Sequence, residues 1–225
     1  MWCIGERDEE YVRKMEDVLE LYETAYDERE PVVCLDEKPV TLHRDVRPPK
    51  PPMPGQIAKQ DAAYERCGTA NVFCAVEPKA GRHFTRPTST RTAADFAQFL
   101  AELALHYPAV RTIHLVVDNL NTHREKSLTD HFGEVAGSYL WGRFTVHYTP
   151  KHGSWLNQAE IEISLYARQC LGHRRIATLP ELDSETRAWN RTTNAAQTKI
   201  HWRFTRQDAR RRMGYQKYLS KRSEH

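Results

Sequence analysis

The sequence has few of the features that define several large protein classes. Its apolar runs are only a handful of residues long, so no segment is predicted to cross a membrane. The N-terminus has no basic segment followed by an apolar one, so no secretory signal is predicted. A glycine-rich phosphate-binding loop of the GxxxxGK type is also absent, which leaves ATP-driven chemistry without support. These absences favour a cytoplasmic protein without a membrane partner.

Cysteine is scarce and scattered. The chain has five cysteines in 225 residues, and no two of them form a CxxC pair. Structural zinc sites and disulfide frameworks both use cysteines in recurring pairs. The sequence therefore predicts buried, reduced thiols rather than a metal-bound or cross-linked scaffold.

Charge is plentiful but unevenly distributed along the chain. Residues 1–30 contain eleven acidic and four basic side chains, whereas residues 187–225 contain eleven basic and two acidic ones. A basic segment of this kind is typical of a protein that binds a polyanion. A solvated helix face has the same composition, and charge alone does not separate the two interpretations.

The hydrophobic pattern predicts a mixed α/β fold, a five-stranded sheet flanked by helices. Three segments follow from it: an acidic helix and linker at 1–30, an α/β core at 31–180, and a basic helical extension at 181–225. The predicted helices are 8–27, 91–107 with Thr90 as N-cap, 124–132 and 154–171, and the predicted strands are 32–35, 69–77, 82–86, 112–117 and 144–148.

Two apolar, β-rich runs each end in an aspartate. Val32–Leu35 precedes Asp36, and Thr112–Val117 precedes Asp118. In open α/β sheets the carboxyl ends of neighbouring strands form the usual site crevice, so the two carboxylates are expected to meet there. The alternative is that each aspartate only begins a turn.

Glu160 is the third candidate at this site. In a helix from 154 to 171, Glu160 falls four residues after Leu156 and three before Ile163, so it is expected to face inward. Glu162 is expected to face outward and is the competing candidate. Three converging carboxylates repel one another unless a cation joins them, and oxygen ligands favour two Mg²⁺ or Mn²⁺ ions.

Three segments resemble the transposases of bacterial insertion sequences in the IS630 group, which are related to Tc1/mariner elements. These segments are Cys34–Pro39, Val117–His123 and Tyr148–Glu160, and the similarity extends from about Trp2 to Met213. The resemblance implies an RNase H-like fold and a catalytic, metal-binding triad of Asp36, Asp118 and Glu160. It also implies cut-and-paste transposition in the bacterial nucleoid, with double-stranded DNA as partner.

The resemblance also bears on DNA contacts and partners. Candidate DNA-binding side chains are Asn119, His123, Lys151, His152, Arg47 and Lys50, the last two in a proline-rich loop at 47–60. Members of the group carry helix-turn-helix modules before the catalytic part, and this chain begins just upstream of that part. Three explanations stay open, namely a truncated gene, one part of a split reading frame, or a shortened form of the protein, and a separate helix-turn-helix chain is a candidate partner for end recognition. A homodimer is a further candidate assembly.

Two other functions stay open on the sequence. A metal-dependent nuclease of the same fold would cut DNA without joining it. A DNA-binding fragment without catalysis would keep the basic surfaces only, although an inward Glu160 would then be costly.

Overall fold

The computed structural model describes residues 8–48, 50–57 and 61–215. Among these residues no helix is both long and apolar enough to cross a membrane. The strands are β1 (Val32–Asp45), β2 (Tyr64–Glu77), β3 (Arg82–Thr88), β4 (Ile113–Val117) and β5 (Phe144–Tyr148). The helices are α1 (Glu9–Glu23), α2 (Ala93–Leu105), α3 (Glu125–Phe132), α4 (Glu134–Trp141), α5 (Ala159–Tyr166), α6 (Leu179–Ala196) and α7 (Arg206–Met213).

The five strands form one mixed sheet in the order β3-β2-β1-β4-β5. The first three form an antiparallel meander. β4 runs parallel to β1, and β5 runs parallel to β4. The predicted five-stranded mixed sheet is therefore confirmed. β5 has the predicted bounds, and β1 and β2 are longer than predicted because they continue past β4 as a two-stranded ribbon.

Helices cover both faces of the sheet. Alternation along β1 sends Val33 and Leu35 into a core under α2 and α3, and sends Cys34 into a core under α1 and the start of α5. A third apolar cluster lies between β2, α5 and α6. Even-numbered residues of β1 and β4 therefore share the α1 and α5 face, which decides where the aspartates lie.

Several predicted bounds were wrong in informative ways. α2 is capped by Thr92 rather than Thr90, because Thr92 and Asp95 form a reciprocal capping box. α1 ends at Glu23, well before Pro31. α4 was not predicted at all. It follows α3 through Gly133, whose φ of 85° ends one helix and begins the next.

The outer edge of β3 is covered by two amides from α6. The side chain of Asn194 both donates to the carbonyl and accepts from the amide of His83, each at 2.8 Å. Asn190 donates to the carbonyl of Thr85 at 2.8 Å. The alternation of the strand makes Pro87 the next outward residue, and proline has no N–H to offer.

The acidic first helix and the basic last helix pack against each other. Arg210 donates to both carboxylate oxygens of Glu16, and Arg206 pairs with Glu23 at 2.9 Å. Tyr215 also donates to Glu16, which is buried. Part of the basic charge that was interpreted as a polyanion-binding segment is therefore neutralised within the molecule.

Candidate active site

Asp36 and Asp118 lie side by side on one face of the sheet. β1 and β4 pair in parallel with Cys34 beside Val116, and two further residues along each chain reach the aspartates. Asp36 is not the end of its strand, as the sequence predicted, but a mid-strand residue at the point where β4 stops. Beyond that point β1 pairs only with β2, so a crevice opens beside Asp36.

The first turn of α5 brings Glu160 to the same crevice. Burial raises the pKa of Asp36, the charges of Glu37, Asp118 and Glu160 raise it as well, and the net result is a pKa of about 6. The backbone N–H of Glu37 opposes this by donating to Asp36 Oδ1 at 2.8 Å. The three predicted carboxylates are thus close enough to interact, and together they leave negative charge uncompensated.

The prediction that Glu160 faces inward and Glu162 outward was wrong. Glu160 is exposed, whereas Glu162 is fully buried with its Oε2 2.7 Å from His83 Nδ1. The helix starts at Ala159 rather than Ser154, because residues 154–156 form a 3₁₀ turn with a different angular step. The buried stripe of α5 is in fact Ala159, Glu162 and Tyr166.

Two hydrogen bonds fasten the turn before α5 to the rest of the site. Asn157 is buried, and its amide donates to the carbonyl of Leu35 at 2.8 Å, one residue before Asp36. The hydroxyl of Tyr22 donates to the carbonyl of Leu156 at 2.8 Å. The sequence analysis missed both residues. The position of Asn157 three residues before Glu160 was the available signal.

A buried histidine lies behind the crevice. His123 Nδ1 is 2.7 Å from Asp118 Oδ1, and His123 Nε2 is 2.8 Å from Glu37 Oε1. Burial lowers the pKa of His123, but the two carboxylates outweigh burial and raise it to about 9. His123 is therefore a charged, internal residue, and its predicted role as a DNA contact is not compatible with a side chain that has no exposed surface.

A divalent cation at this crevice would be held by carboxylate oxygens. Among the described residues, no three histidine, cysteine or acidic side chains are gathered tightly enough to enclose a metal ion. Carboxylate oxygens are nevertheless the donors that Mg²⁺ and Mn²⁺ prefer, and Mg²⁺ keeps water on several of its positions. The excess negative charge around Asp36 fits such a cation.

A family model described as DDE superfamily endonuclease matches residues 31–183, which contain all three carboxylates. The chain belongs to this family. No curated protein matches the chain significantly.

This DDE endonuclease chain is similar in fold to solved mariner transposases. The Mos1 paired-end complex with Mg has 17% identity and a TM-score of 0.56, over 89% of this chain and 58% of that one. The Mos1 complex with the left transposon end has 16% identity and a TM-score of 0.55, over 85% and 57%. The chain thus spans less than three fifths of these transposases, and the likeness shows an RNase H-like fold.

Three predicted DNA-binding residues of the endonuclease chain surround one pocket next to the crevice. Asn119, Lys151 and His152 line a cavity of about 370 Å³ together with Lys14 and residues at the start of α1. His152 has a φ of 62°, which is uncommon for a residue with a side chain. Gly153 must be glycine, because a Cβ there would lie 2.5 Å from the ring of Pro150.

The other predicted contacts lie on the connection between β1 and β2. Arg47 and Lys50 are exposed, and Arg47 Nε is 3.6 Å from Asp61 Oδ2. Lys59, a further basic residue of the proline-rich loop, lies outside the described residues. These side chains are on a surface loop, whereas Asn119, Lys151 and His152 adjoin the carboxylates.

Proposed function

We propose that this chain is the catalytic domain of a DNA transposase of the IS630 group, which cuts DNA and joins it to a target. The observation that carries the proposal is the approach of Asp36, Asp118 and Glu160 at one crevice, with the pKa of Asp36 raised by burial and by the other acids. The family match over these residues supports it.

Each of the three carboxylates has a stated role in the proposal. Asp36, Asp118 and Glu160 would hold two Mg²⁺ or Mn²⁺ ions, which would supply activation of a hydroxyl and stabilisation of the leaving oxygen of a phosphodiester. Crystal structures of the Mos1 transposase have been solved with Mg and with Mn, which supports the choice of cation. Glu160 suits this role because an exposed carboxylate can reach a cation without first leaving the core.

The substrate of the proposed reaction is double-stranded DNA. Lys151, His152 and Asn119 bind phosphate oxygens from the pocket wall, and the exposed Arg47 and Lys50 add contacts from the loop. Such contacts are insensitive to sequence and weaken as salt rises. The similar Mos1 structures are complexes with transposon ends, which supports ends as the DNA that is cut.

Three parts of the proposal rest on the sequence alone. They are the division into segments at residues 30 and 180, the pairing of two copies, and a separate helix-turn-helix chain that reads the ends. The packing of α7 on α1 favours treating both as supports of the core rather than as independent arms.

The test is metal-dependent cleavage of a labelled duplex that carries candidate ends, with an EDTA control. Glu160→Gln is expected to lower the cleavage rate on the order of a thousandfold, because it removes several kcal/mol of charge stabilisation. Glu162→Gln is the matched control, since it makes the same change two residues along the same helix. It is expected to keep cleavage at temperatures where the variant is folded.

Asp36→Asn separates loss of catalysis from loss of the fold. The folded chain disfavours the charged form of Asp36. The Asp36→Asn variant is therefore expected to lose cleavage but to unfold, at pH 7, at a urea concentration at least as high as that of the unsubstituted chain. Cutting without transfer to a second duplex would favour a nuclease. DNA binding without any cutting by the unsubstituted chain would favour a binding fragment and contradict the proposal.

A further inference from the structure

We infer that Glu37 and His123 are positioning residues that hold the carboxylate of Asp118 in place for a divalent cation. The inference rests on the proposed function, since it concerns the site that would take the cation. It assigns a role to two side chains that are almost completely buried.

The His123 ring joins two carboxylates that come from different strands. Nδ1 lies 2.7 Å from Asp118 Oδ1 and Nε2 lies 2.8 Å from Glu37 Oε1, so each nitrogen is within donor distance of one acid. A carboxylate can only accept, so both nitrogens donate. A buried acid without a partner is costly, and one ring here serves two of them.

Other contacts hold the ring of His123 in one orientation. The ring of Phe96 lies 4.6 Å from that of His123, centroid to centroid. The backbone is fixed as well, because the Tyr148 hydroxyl donates to the carbonyl of His123 at 2.6 Å and the His123 amide donates to that of Leu120. A ring held on its face and along its backbone can pass its orientation to the acid it binds.

The contacts on the side chain of Asp118 fall on one of its two carboxylate oxygens, and His123 Nδ1 also lies 3.2 Å from the backbone carbonyl oxygen of Asp118. His123 Nδ1 and the backbone N–H of Leu120, at 3.3 Å, both approach Oδ1. About a third of the side chain remains accessible to solvent. Asp118 is thus fixed through one oxygen while part of its carboxylate faces the crevice.

Glu37 connects this support to the neighbouring aspartate. It directly follows Asp36 but points to the opposite face of β1, where it is buried. Its backbone N–H donates to Asp36 Oδ1 at 2.8 Å, while its side chain accepts from His123. One residue therefore links the two carboxylates of the crevice, and a shift of either strand would disturb both.

The test compares two amides at position 123 in the full chain. Asparagine places an amide nitrogen where Nδ1 lies, and glutamine places one near Nε2. His123→Asn can still donate to Asp118, whereas His123→Gln donates only toward Glu37. The readout is the affinity for Mn²⁺, measured by electron paramagnetic resonance without DNA, next to a urea unfolding curve for each variant.

We expect His123→Gln to weaken Mn²⁺ binding by about 10- to 100-fold, the usual effect of removing a group that orients a metal ligand. His123→Asn should lose less, and Glu37→Gln should fall between the two. Glu77→Gln is the control. Glu77 is also a buried acid, and it accepts a hydrogen bond from Tyr107 at 2.8 Å. It lies on β2, three residues beyond Cys74, the residue that pairs with Asp36. Glu77→Gln should therefore leave the Mn²⁺ affinity unaltered.

Two results would overturn the inference while leaving the proposed function intact. One is unchanged Mn²⁺ affinity in His123→Gln. The other is an equal loss in His123→Asn and His123→Gln that simply follows their loss of stability, which would make the ring a core residue. A chain whose Mn²⁺ binding is absent, or is the same after Asp36→Asn, would instead contradict the proposed function itself.

Discussion

His123 and His83 are two buried histidines that differ in how their second nitrogen is used. Both rings donate from one nitrogen toward a buried acid, His123 to Glu37 and His83 to Glu162. The other nitrogen of His123 meets Asp118, whereas Nε2 of His83 has no hydrogen-bond partner within the described residues. The first ring therefore sits between two charges, and the second belongs to a simple pair.

The two histidines differ in how burial and neighbouring charges set the pKa values of the groups involved. Burial raises the pKa of Glu162, and the hydrogen bond from His83 only partly opposes it. At His123 two acids overcome the cost of burial, so the ring keeps its proton well above neutral pH. The pair of His83 and Glu162 joins β3 to α5. The ring of His123, which lies between two acids, places a positive charge beside the crevice.

The largest effect is expected from His83→Phe. Phenylalanine fills the space beside Trp189 but leaves Glu162 buried with no donor, so the free energy of unfolding should fall by about 3–5 kcal/mol. Urea unfolding at pH 7 measures it. The double variant His83→Phe with Glu162→Met should recover most of the loss, and a double variant as unstable as the single one would show that the pair is not the cause.

The pH dependence of stability should separate the two histidines. The folded pKa of His123 is about 9 against an ordinary 6.5, so its contribution is complete below pH 6.5 and is lost as pH rises to 9. The loss is about 3 kcal/mol for a shift of this size. Unfolding curves at pH 6 and 9.5 check it, with Glu37→Gln expected to lose less over the same interval. An equal loss in both proteins would assign the change to other groups.

The smallest effect is expected at a third pair, between His147 and Asp17. Their atoms are 2.8 Å apart, but half of the Asp17 side chain is exposed. Asp17→Asn should therefore lower the free energy of unfolding by less than about 1 kcal/mol. Because His147 also contacts His114 at 2.9 Å, a loss above about 2 kcal/mol would reveal a coupled network there.

The strands were accessible to sequence because burial on both faces leaves a continuous apolar run. β4 and β5 were found nearly to the residue, and β1 was found as far as Asp36. The rest of β1, which includes Pro39, was not predicted. Pro39 lies where β4 has ended, so its missing N–H removes no hydrogen bond to that strand.

The site was harder to predict than the sheet. Asp36 and Asp118 followed from strand ends, but the faces of Glu160 and Glu162 depended on where a helix begins, and periodicity fixes such bounds poorly. His123 and Glu37 share a hydrogen bond although they are 86 positions apart in the sequence. A single sequence contains the acids and the ring but no sign that they meet.

The amides of Asn190 and Asn194 along β3 have a consequence for assembly. An exposed strand edge is a template on which another chain can extend the sheet, and this is a common beginning of aggregation. Here side-chain amides already bond both backbone groups of His83 and the carbonyl of Thr85, and Pro87 offers no donor at the next outward position. The edge of β3 is therefore blocked at these residues, so a partner that lengthens the sheet by strand addition has to approach along another edge, such as that of β5.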